Sequence, residues 1–367
     1  MAAKAAAAPA EGGAAPPSYT HATSGYIGVS SGEFNSYFLR ADGVAEKVKS
    51  GKIVNEIHPP EGKRYLQVVA GASNSYLVRD DGVVDRTQGK KSNPIVDSMN
   101  PPPGVRYTQV ATGHFAAYLL RSDGAVDRTT GKGKVSATIT PPPGVTYTCV
   151  SSGHYVSCVP VADGRPTRTR RSRVLTPRHT PAPLHRPPAH RLARRRLFLR
   201  SDGKVDLSKG YAKIDKTIES KEGRPYVAIS IQHCGQPSDK DDAANNANYL
   251  IRDDGVAERL YYSRDIEKSI APSMSKYVAS SVMQTASYLV REDGAVDRTK
   301  GSAKISSTMN PPPGHKYIAV STGRYVTFFL RSDGLIDRSK GYGKIHSTFD
   351  PRGGPDVIVE KSGCVIA

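Results

Sequence analysis

The sequence predicts an all-β protein built from one repeated unit. Asp-Gly pairs recur along the chain at intervals of 39 to 52 residues, and a tyrosine precedes most of them by 17 residues. Short β-rich runs and turn residues fill the intervals, and helical periodicity is nearly absent. Self-similarity at this period is typical of repeat architectures, in which each unit packs against its neighbours. The glycines of the eight pairs are Gly43, Gly82, Gly124, Gly164, Gly203, Gly255, Gly294 and Gly334.

The clearest copy of the unit covers residues 107–144. Tyr107 opens a short apolar run, a second run at residues 118–121 leads into Asp123-Gly124, and a third run leads away from it. An Asp-Gly pair between two β-rich runs predicts a hairpin with a type I′ turn. A fourth run ends at a Pro-Pro-Pro-Gly linker, where the prolines prevent the strand from continuing.

Three or four short strands are too few to bury a face alone, so the units are expected to stack radially as the blades of a β-propeller. The prediction is seven to eight blades in a single domain over residues 26–367, preceded by a disordered Ala/Pro-rich tail over residues 1–25. Eight hairpins favour eight blades. Residues 357–366 resemble a degenerate ninth hairpin, and pairing of strands from both termini is expected to close the ring.

The repeat resembles that of the regulator of chromosome condensation superfamily. The shared features are Val-x-x-Gly, an aliphatic run, Asp-Gly, Val and a later Gly, and they cover residues 26–350. The short period is similar to that of the propeller-type β-lactamase inhibitors of that superfamily. The resemblance implies a propeller scaffold and, as one alternative, nucleotide exchange on a small GTPase. Arg86, Arg128, Arg298 and Arg338 stand near the position where the family has a Trp.

Composition indicates an intracellular protein without a membrane span. The chain has no run of 18 apolar residues, and its four cysteines have neither the spacing of a zinc site nor that of a disulfide framework. Motifs for phosphate loops, zinc proteases and nucleophilic serines are absent from the sequence. We therefore expect no enzyme activity, no cofactor and no metal.

The net charge of +18 is concentrated in one irregular stretch, residues 158–197. Its segment from Arg165 to Arg196 contains 11 arginines and no acidic residue. One interpretation is a basic arm that binds nucleic acid or phosphoprotein. The other is that the stretch replaces a blade segment and is out of frame, because it keeps the repeat length of 39 residues and loses the pattern. The second interpretation predicts that transcript sequencing recovers a normal unit.

Three groups of residues are candidate binding or modification sites. Lysines after a Gly-containing turn are expected to form a ring at one rim, either as a solvated surface or as a site that binds anions or a partner. An insertion of 12 residues within residues 232–248 predicts a polar loop, either solvated or binding, with Asp239, Asp241 and Asp242. The rim lysines are Lys52, Lys134, Lys213, Lys304 and Lys344.

The last four residues, Cys364-Val365-Ile366-Ala367, match a farnesylation motif. The alternative is that Cys364 begins a closing strand. A single prenyl chain would give weak, reversible membrane attachment.

A second repeated series consists of an Arg before each turn and an acidic residue after it, which predicts cross-strand pairing. Repetition argues for a structural role and against a catalytic carboxylate. The function predicted from the sequence is a monomeric, non-enzymatic protein-interaction scaffold with a protein partner on one face. The alternative from another class is a nucleic-acid or chromatin binder that uses the basic rim and the Arg-rich stretch.

Overall fold

The computed structural model contains seven antiparallel sheets arranged as blades. It describes residues 25–32, 35–71, 74–88, 95–113, 116–130, 133–152, 156–158, 196–208, 213–231, 248–260, 265–282, 286–300, 304–323, 326–339, 344–351 and 358–359. Within these residues, no helix is long and apolar enough to cross a membrane.

The blades follow one another along the chain, and each has four strands in sequence order. Blade 1 consists of β1 (Tyr26–Ser31), β2 (Ser36–Arg40), β3 (Ala45–Lys49) and β4 (Lys52–Ile57). Blade 2 consists of β5 (Tyr65–Ala70), β6 (Asn74–Arg79), β7 (Val84–Gln88) and β8 (Ile95–Met99). Blade 3 consists of β9 (Tyr107–Thr112), β10 (Ala117–Arg121), β11 (Val126–Thr129) and β12 (Val135–Ile139). Blade 4 consists of β13 (Tyr147–Ser152), β15 (Arg196–Arg200), β16 (Val205–Ser208) and β17 (Ile214–Ile218).

Blades 5 and 7 each carry one additional strand. Blade 5 consists of β18 (Tyr226–Ile231), β19 (Asn248–Arg252), β20 (Ala257–Leu260) and β21 (Ile266–Ile270), with β14 (Val156–Cys158) paired to β18. Blade 6 consists of β22 (Tyr277–Val282), β23 (Ser287–Arg291), β24 (Val296–Lys300) and β25 (Lys304–Met309). Blade 7 consists of β26 (Tyr317–Thr322), β27 (Thr327–Arg331), β28 (Ile336–Ser339) and β29 (Ile345–Phe349), with β30 (Ile358–Val359) at its outer edge.

The hydrophobic core lies in the seams between blades. First strands of neighbouring blades contact each other around the ring axis, and second strands such as β10 are buried on both faces. Fourth strands such as β12 are mostly exposed and end in one buried apolar residue, here Ile139. Because each blade buries both faces against neighbours, the units depend on the ring for stability.

The ring has two chemically different faces. The turn face carries the Asp-Gly turns, which join second to third strands, and the Pro-rich linkers between blades. The loop face carries the connections from first to second and from third to fourth strands. On the turn face, the Tyr147 amide donates a hydrogen bond to the Gly124 carbonyl of the preceding blade at 2.9 Å, and equivalent bonds join other neighbouring blades.

The hairpin turns differ from the predicted type I′. The Gly124 amide donates to the Arg121 carbonyl at 3.0 Å, and Gly124 has φ +83°. In the described part of the chain, Ser50 is the one non-glycine residue with a positive φ. Asp123 therefore has a negative φ, whereas a type I′ turn requires a positive φ at both central residues. The turn is therefore a type I turn whose glycine forms a G1 bulge. Asp123 Oδ1 accepts a hydrogen bond from the Ala125 amide at 3.1 Å, which fixes this geometry.

The structure has seven blades rather than the eight favoured by counting hairpins. Strand β13 pairs directly with β15, with Tyr147 opposite Arg200, and this pair corresponds to Tyr107 opposite Arg121 in blade 3. The strands on the two sides of the irregular stretch thus belong to one blade, and whether the stretch replaces a blade segment stays a prediction. The hairpin at Gly164 lies outside the described residues, and whether the stretch is out of frame stays a prediction.

The predicted closure by pairing of both termini is wrong. Blade 1 and blade 7 each have four strands from one end of the chain, and β30 pairs with β29 at the outer edge. The ring closes through the Tyr26 amide, which donates to the Gly334 carbonyl at 2.8 Å. Because this is the same contact that joins other neighbouring blades, closure requires no mixed sheet.

Candidate functional site

Each blade contains a buried cluster of one tyrosine, one acidic residue and one arginine. The tyrosine opens the first strand, the arginine ends the second, and the acid lies in the third. The predicted Arg–acid pairing is thus confirmed, and the tyrosine is an additional member that the sequence interpretation missed. The clusters, from blade 1 to blade 7, are Tyr26/Arg40/Glu46, Tyr65/Arg79/Asp85, Tyr107/Arg121/Asp127, Tyr147/Arg200/Asp206, Tyr226/Arg252/Glu258, Tyr277/Arg291/Asp297 and Tyr317/Arg331/Asp337.

Blade 3 shows the geometry of the cluster. The Tyr107 hydroxyl donates to Asp127 Oδ2 at 2.9 Å, and Thr138 Oγ1 donates to Asp127 Oδ1 at 2.6 Å. Arg121 Nη1 lies 3.6 Å from Asp127 Oδ1. Asp127 is 2% exposed, so these donors replace the water that the carboxylate would otherwise bind.

The electrostatics favour a structural role for these clusters. Burial, followed by the hydrogen bond to Asp127, raises the pKa of Tyr107, so its hydroxyl keeps the donated proton. In blade 1, burial raises the pKa of Glu46 against the opposing effects of Tyr26 and Arg40. Because both carboxylate oxygens of Asp127 are engaged, the group has no free oxygen directed at a substrate.

The predicted rim lysines occupy equivalent positions on the loop face. Each begins or directly precedes the fourth strand of its blade, and each is exposed. Lys52, Lys134, Lys213, Lys304 and Lys344 belong to blades 1, 3, 4, 6 and 7. In blade 5 the equivalent position holds Asp265, which accepts a hydrogen bond from Lys216 Nζ of blade 4 at 2.7 Å. The positive rim is therefore interrupted at blade 5.

The first strands of all seven blades share one irregularity close to the turn face. The register of every first strand skips its second residue, which forms a β-bulge. Of these residues Leu66 is 59% exposed. The signal in the sequence is the apolar residue or threonine after each opening tyrosine. The seven bulged residues are Ile27, Leu66, Thr108, Thr148, Val227, Val278 and Ile318.

Two predicted sites cannot be placed. The loop residues Asp239, Asp241 and Asp242 and the terminal Cys364 lie outside the described residues. In the part of the chain that is described, no group of three or more His, Cys, Asp or Glu side chains could hold a metal ion.

Seven radially packed four-stranded sheets that close through a repeated contact define a β-propeller. No family model and no curated protein sequence matches this chain. Among solved structures it is similar to BBS1N in complex with ARL6DN, with a TM-score of 0.57 and 11% identity over 89% of this chain and 96% of the other. It is also similar to YCF48 bound to D1 peptide, with a TM-score of 0.55 and 10% identity over 86% of this chain and 93% of the other. At these identities the likeness shows the propeller fold.

Proposed function

We propose that this propeller is a non-enzymatic scaffold that binds a protein partner on its loop face. The observation that supports it best is the use of the repeated acids. Each acid of the seven Tyr–Arg–acid clusters is buried and bonded to side chains of its own blade. These carboxylates join the strands within each blade, and their oxygens are occupied by donors of the same blade. The exposed chemistry that repeats on the loop face is the lysine rim.

Two further observations agree with a protein partner. The propellers similar to this chain are described with a peptide and with a protein partner, namely D1 peptide and ARL6DN. The positive rim favours a partner with acidic side chains, because complementary charge accelerates encounter and selects the partner.

The test is a pair of charge-matched triple variants. The first carries Lys52→Glu, Lys304→Glu and Lys344→Glu on the loop face of blades 6, 7 and 1. The second carries Lys63→Glu, Lys221→Glu and Lys316→Glu, which are exposed lysines of the turn-face linkers. Partners captured by the wild-type chain and identified by cross-linking mass spectrometry should be lost from the first variant and kept by the second. Equal loss from both would contradict the assignment to the loop face.

Nucleic-acid binding is the second candidate, because the same five lysines are exposed on one face and the chain carries a net charge of +18. Binding to duplex DNA should then weaken steeply with salt, with a log–log slope of about −0.9 for each phosphate neutralised. Replacing residues 165–195 with a Gly/Ser linker of the same length separates the rim from the Arg-rich stretch and keeps β15 intact. If affinity disappears with that stretch, the rim is not the nucleic-acid site.

On the resemblance of its repeat, we propose more specifically that the scaffold is of the chromosome-condensation-regulator type. Exchange of nucleotide on a small GTPase is its alternative and is supported by the resemblance alone. Stimulated release of a fluorescent guanine nucleotide from a panel of small GTPases would support exchange, and unchanged release would exclude it for that panel.

We also propose a monomeric, intracellular protein that is farnesylated at Cys364. The terminal motif supports the modification, and Lys361 adds one positive charge nearby. Intact-mass measurement after expression in a eukaryotic host should detect a farnesyl-plus-methyl adduct with loss of the last three residues. The adduct should be absent from Cys364→Ser, and an unmodified wild-type terminus would contradict the proposal.

A further inference from the structure

In five of the seven blades the third strand carries an arginine at one equivalent position. Blade 2 shows how such an arginine is neutralised. Arg86 lies opposite Asp97 across the β7–β8 pair. Its Nε donates to Asp97 Oδ1 at 2.8 Å and its Nη2 to Asp97 Oδ2 at 2.7 Å, which is a bidentate arrangement. A Cβ built on Gly133 of blade 3 would lie 2.7 Å from Asp97 Oδ2. The Arg–carboxylate pair therefore fills the seam between blades 2 and 3.

Blade 7 has the same arginine without the carboxylate. Arg338 lies opposite Ser347 across the β28–β29 pair. Arg338 Nε and Ser347 Oγ are both buried and have no hydrogen-bond partner. A neutral hydroxyl thus lies opposite the guanidinium where blade 2 has a carboxylate. Arg338 as a whole is partly exposed, so the guanidinium can be reached from solvent.

The guanidinium of Arg338 extends into the seam between blades 7 and 1. A Cβ built on Gly51, in the hairpin between β3 and β4, would lie 2.5 Å from Arg338 Cζ. Gly51 of blade 1 thus corresponds to Gly133 of blade 3. The difference between the two seams is the missing acid, because the position of Asp97 is occupied by Ser347.

The surroundings of this seam are positive. Lys49 and Lys52 are paired and exposed on either side of the Ser50–Gly51 turn, and Lys344 is exposed just before β29. Burial lowers the pKa of Arg338, which is the direction expected for a cation that lacks a compensating charge. In the described part of the chain Arg338 forms no ion pair. A half-buried guanidinium whose Nε has no acceptor destabilises the folded protein unless an anion neutralises its charge.

We propose that Arg338, Ser347 and the Lys49–Lys52 hairpin form a cradle for a carboxylate side chain of an acidic protein segment. The bound carboxylate neutralises Arg338 as Asp97 neutralises Arg86 in blade 2. It accepts from the Nη groups of Arg338, because Arg338 Nε and Ser347 Oγ are buried. A carboxylate is favoured over a phosphate because the equivalent arginine, Arg86, is neutralised by the carboxylate of Asp97. This proposal rests on the proposed function, because the carboxylate is taken to come from a protein partner on the loop face.

Blade 6 also has an arginine with no carboxylate opposite it. Arg298 lies opposite Ser307, and Arg298 Nε and Ser307 Oγ are again buried without a partner. Arg298 Nη1 donates to Ser306 Oγ at 3.3 Å, so this guanidinium is partly satisfied. Two neighbouring blades therefore present the same donors, and a segment with two spaced acids could use both.

The sharpest test supplies the missing acid internally. Ser347→Asp should neutralise Arg338 as Asp97 neutralises Arg86, raising the melting temperature and lowering affinity for a fluorescein-labelled octaglutamate peptide about tenfold, measured by anisotropy at low salt. Ser347→Asn keeps the site neutral and should bind like the wild type. Arg338→Leu should lose affinity like Ser347→Asp. Arg86→Leu is the matched control and should bind within about twofold of the wild type, because its guanidinium is already occupied.

The variants show whether the cradle fails alone or together with the proposed acidic partner. If Ser347→Asp binds the peptide like the wild type while the loop-face lysine variant does not, the cradle is wrong and the acidic-partner face stands. If the wild type does not bind the peptide, both are wrong for acidic partners. If Ser347→Asp weakens binding to a 20-base-pair DNA duplex and leaves peptide binding unchanged, the occupant is a phosphate and the carboxylate assignment is overturned.

Discussion

At the scale of single residues, the buried tyrosine hydroxyl decides whether a blade can hold an acid in its interior. In blade 3 the Tyr107 hydroxyl and Thr138 donate to opposite oxygens of Asp127, and Arg121 contributes its charge. A buried carboxylate that loses a donor incurs a desolvation penalty that its remaining bonds do not offset. The cluster therefore stabilises the native state through the completeness of its hydrogen bonds.

Tyr107→Phe should lower the free energy of unfolding by about 1–3 kcal/mol, because Asp127 Oδ2 loses its donor. Urea unfolding followed by circular dichroism measures the change. Tyr118→Phe is the matched control, since this buried tyrosine does not belong to a Tyr–Arg–acid cluster. Equal effects of the two substitutions would show that the Tyr107 bond contributes little.

Asp81 makes the stability of its hairpin turn depend on pH. The hydrogen bond from Arg79 is the main reason why the pKa of Asp81 is lowered to about 2, and the Val83 amide adds to it. Because the folded pKa lies below the unfolded value of 3.8, the stabilisation is complete above pH 3.8 and is lost as the pH falls toward 2.

Asp81→Asn should therefore flatten the stability profile between pH 4 and pH 2 by at most about 2 kcal/mol. Unfolding by urea at a series of pH values measures the profile. Glu61→Gln replaces an exposed acid of the neighbouring linker and should leave the profile parallel to that of the wild type. A profile of Asp81→Asn that also stays parallel to the wild type would contradict the contribution of the turn.

At the scale of the structural element, the Asp-Gly hairpin joins two blades as well as two strands. The glycine carbonyl accepts a hydrogen bond from the tyrosine that opens the next blade, as Gly124 does for Tyr147. The same glycine packs closely on the next linker, because a Cβ on Gly124 would lie 3.0 Å from Thr146 Cα. A side chain is excluded here by both the positive φ and the space.

Gly124→Ala and Gly104→Ala separate these two reasons. Gly104 has φ +77° and open space around it, so alanine should cost about 1–2 kcal/mol from backbone strain. Gly124→Ala carries a similar strain and an additional clash, which should raise the cost by about 1–3 kcal/mol. Chemical denaturation of both variants gives the difference. If the two costs are equal, the contact with Thr146 relaxes freely and the close packing is not required.

At the scale of the whole molecule, closure depends on the seam between blades 1 and 7. Phe38 of blade 1 packs edge-on against Phe328 and Phe349 of blade 7, with ring centroids 5.0 Å apart in both pairs. This seam joins residues that are distant along the chain, so closing it carries the loop-closure entropy of the ring. The other seams join consecutive units.

Phe38→Ala should cost about 3–5 kcal/mol and open the ring locally. Hydrogen exchange monitored by mass spectrometry should accelerate in blades 1 and 7 together. Phe198→Ala is the control, because Phe198 packs on Tyr118 and Tyr147 in the seam between blades 3 and 4. Acceleration of blades 1 and 7 by both variants alike would mean that the ring unfolds as one unit.

The sequence by itself determined the repeat, the positions of the strands and the Asp-Gly turns, and the pairing of Arg with an acid. These depend on residues close along the chain, where composition and spacing report directly on local geometry. The sequence also placed the five rim lysines at equivalent positions, because repeats carry equivalent residues to equivalent places. The interruption at Asp265 was not foreseen, since it becomes significant only beside Lys216 of the preceding blade.

The tertiary structure decided the number of blades, the way the ring closes and the vacancy at Arg338. Counting hairpins could not give seven blades, because β13 and β15 pair across a long intervening stretch. Ser347 resembles any surface serine in the sequence. Its significance arises because β28 and β29 bring it opposite an arginine whose counterpart in blade 2 faces an aspartate. Hydrogen-bond partners that come from separate strands are fixed by packing, which short-range patterns do not encode.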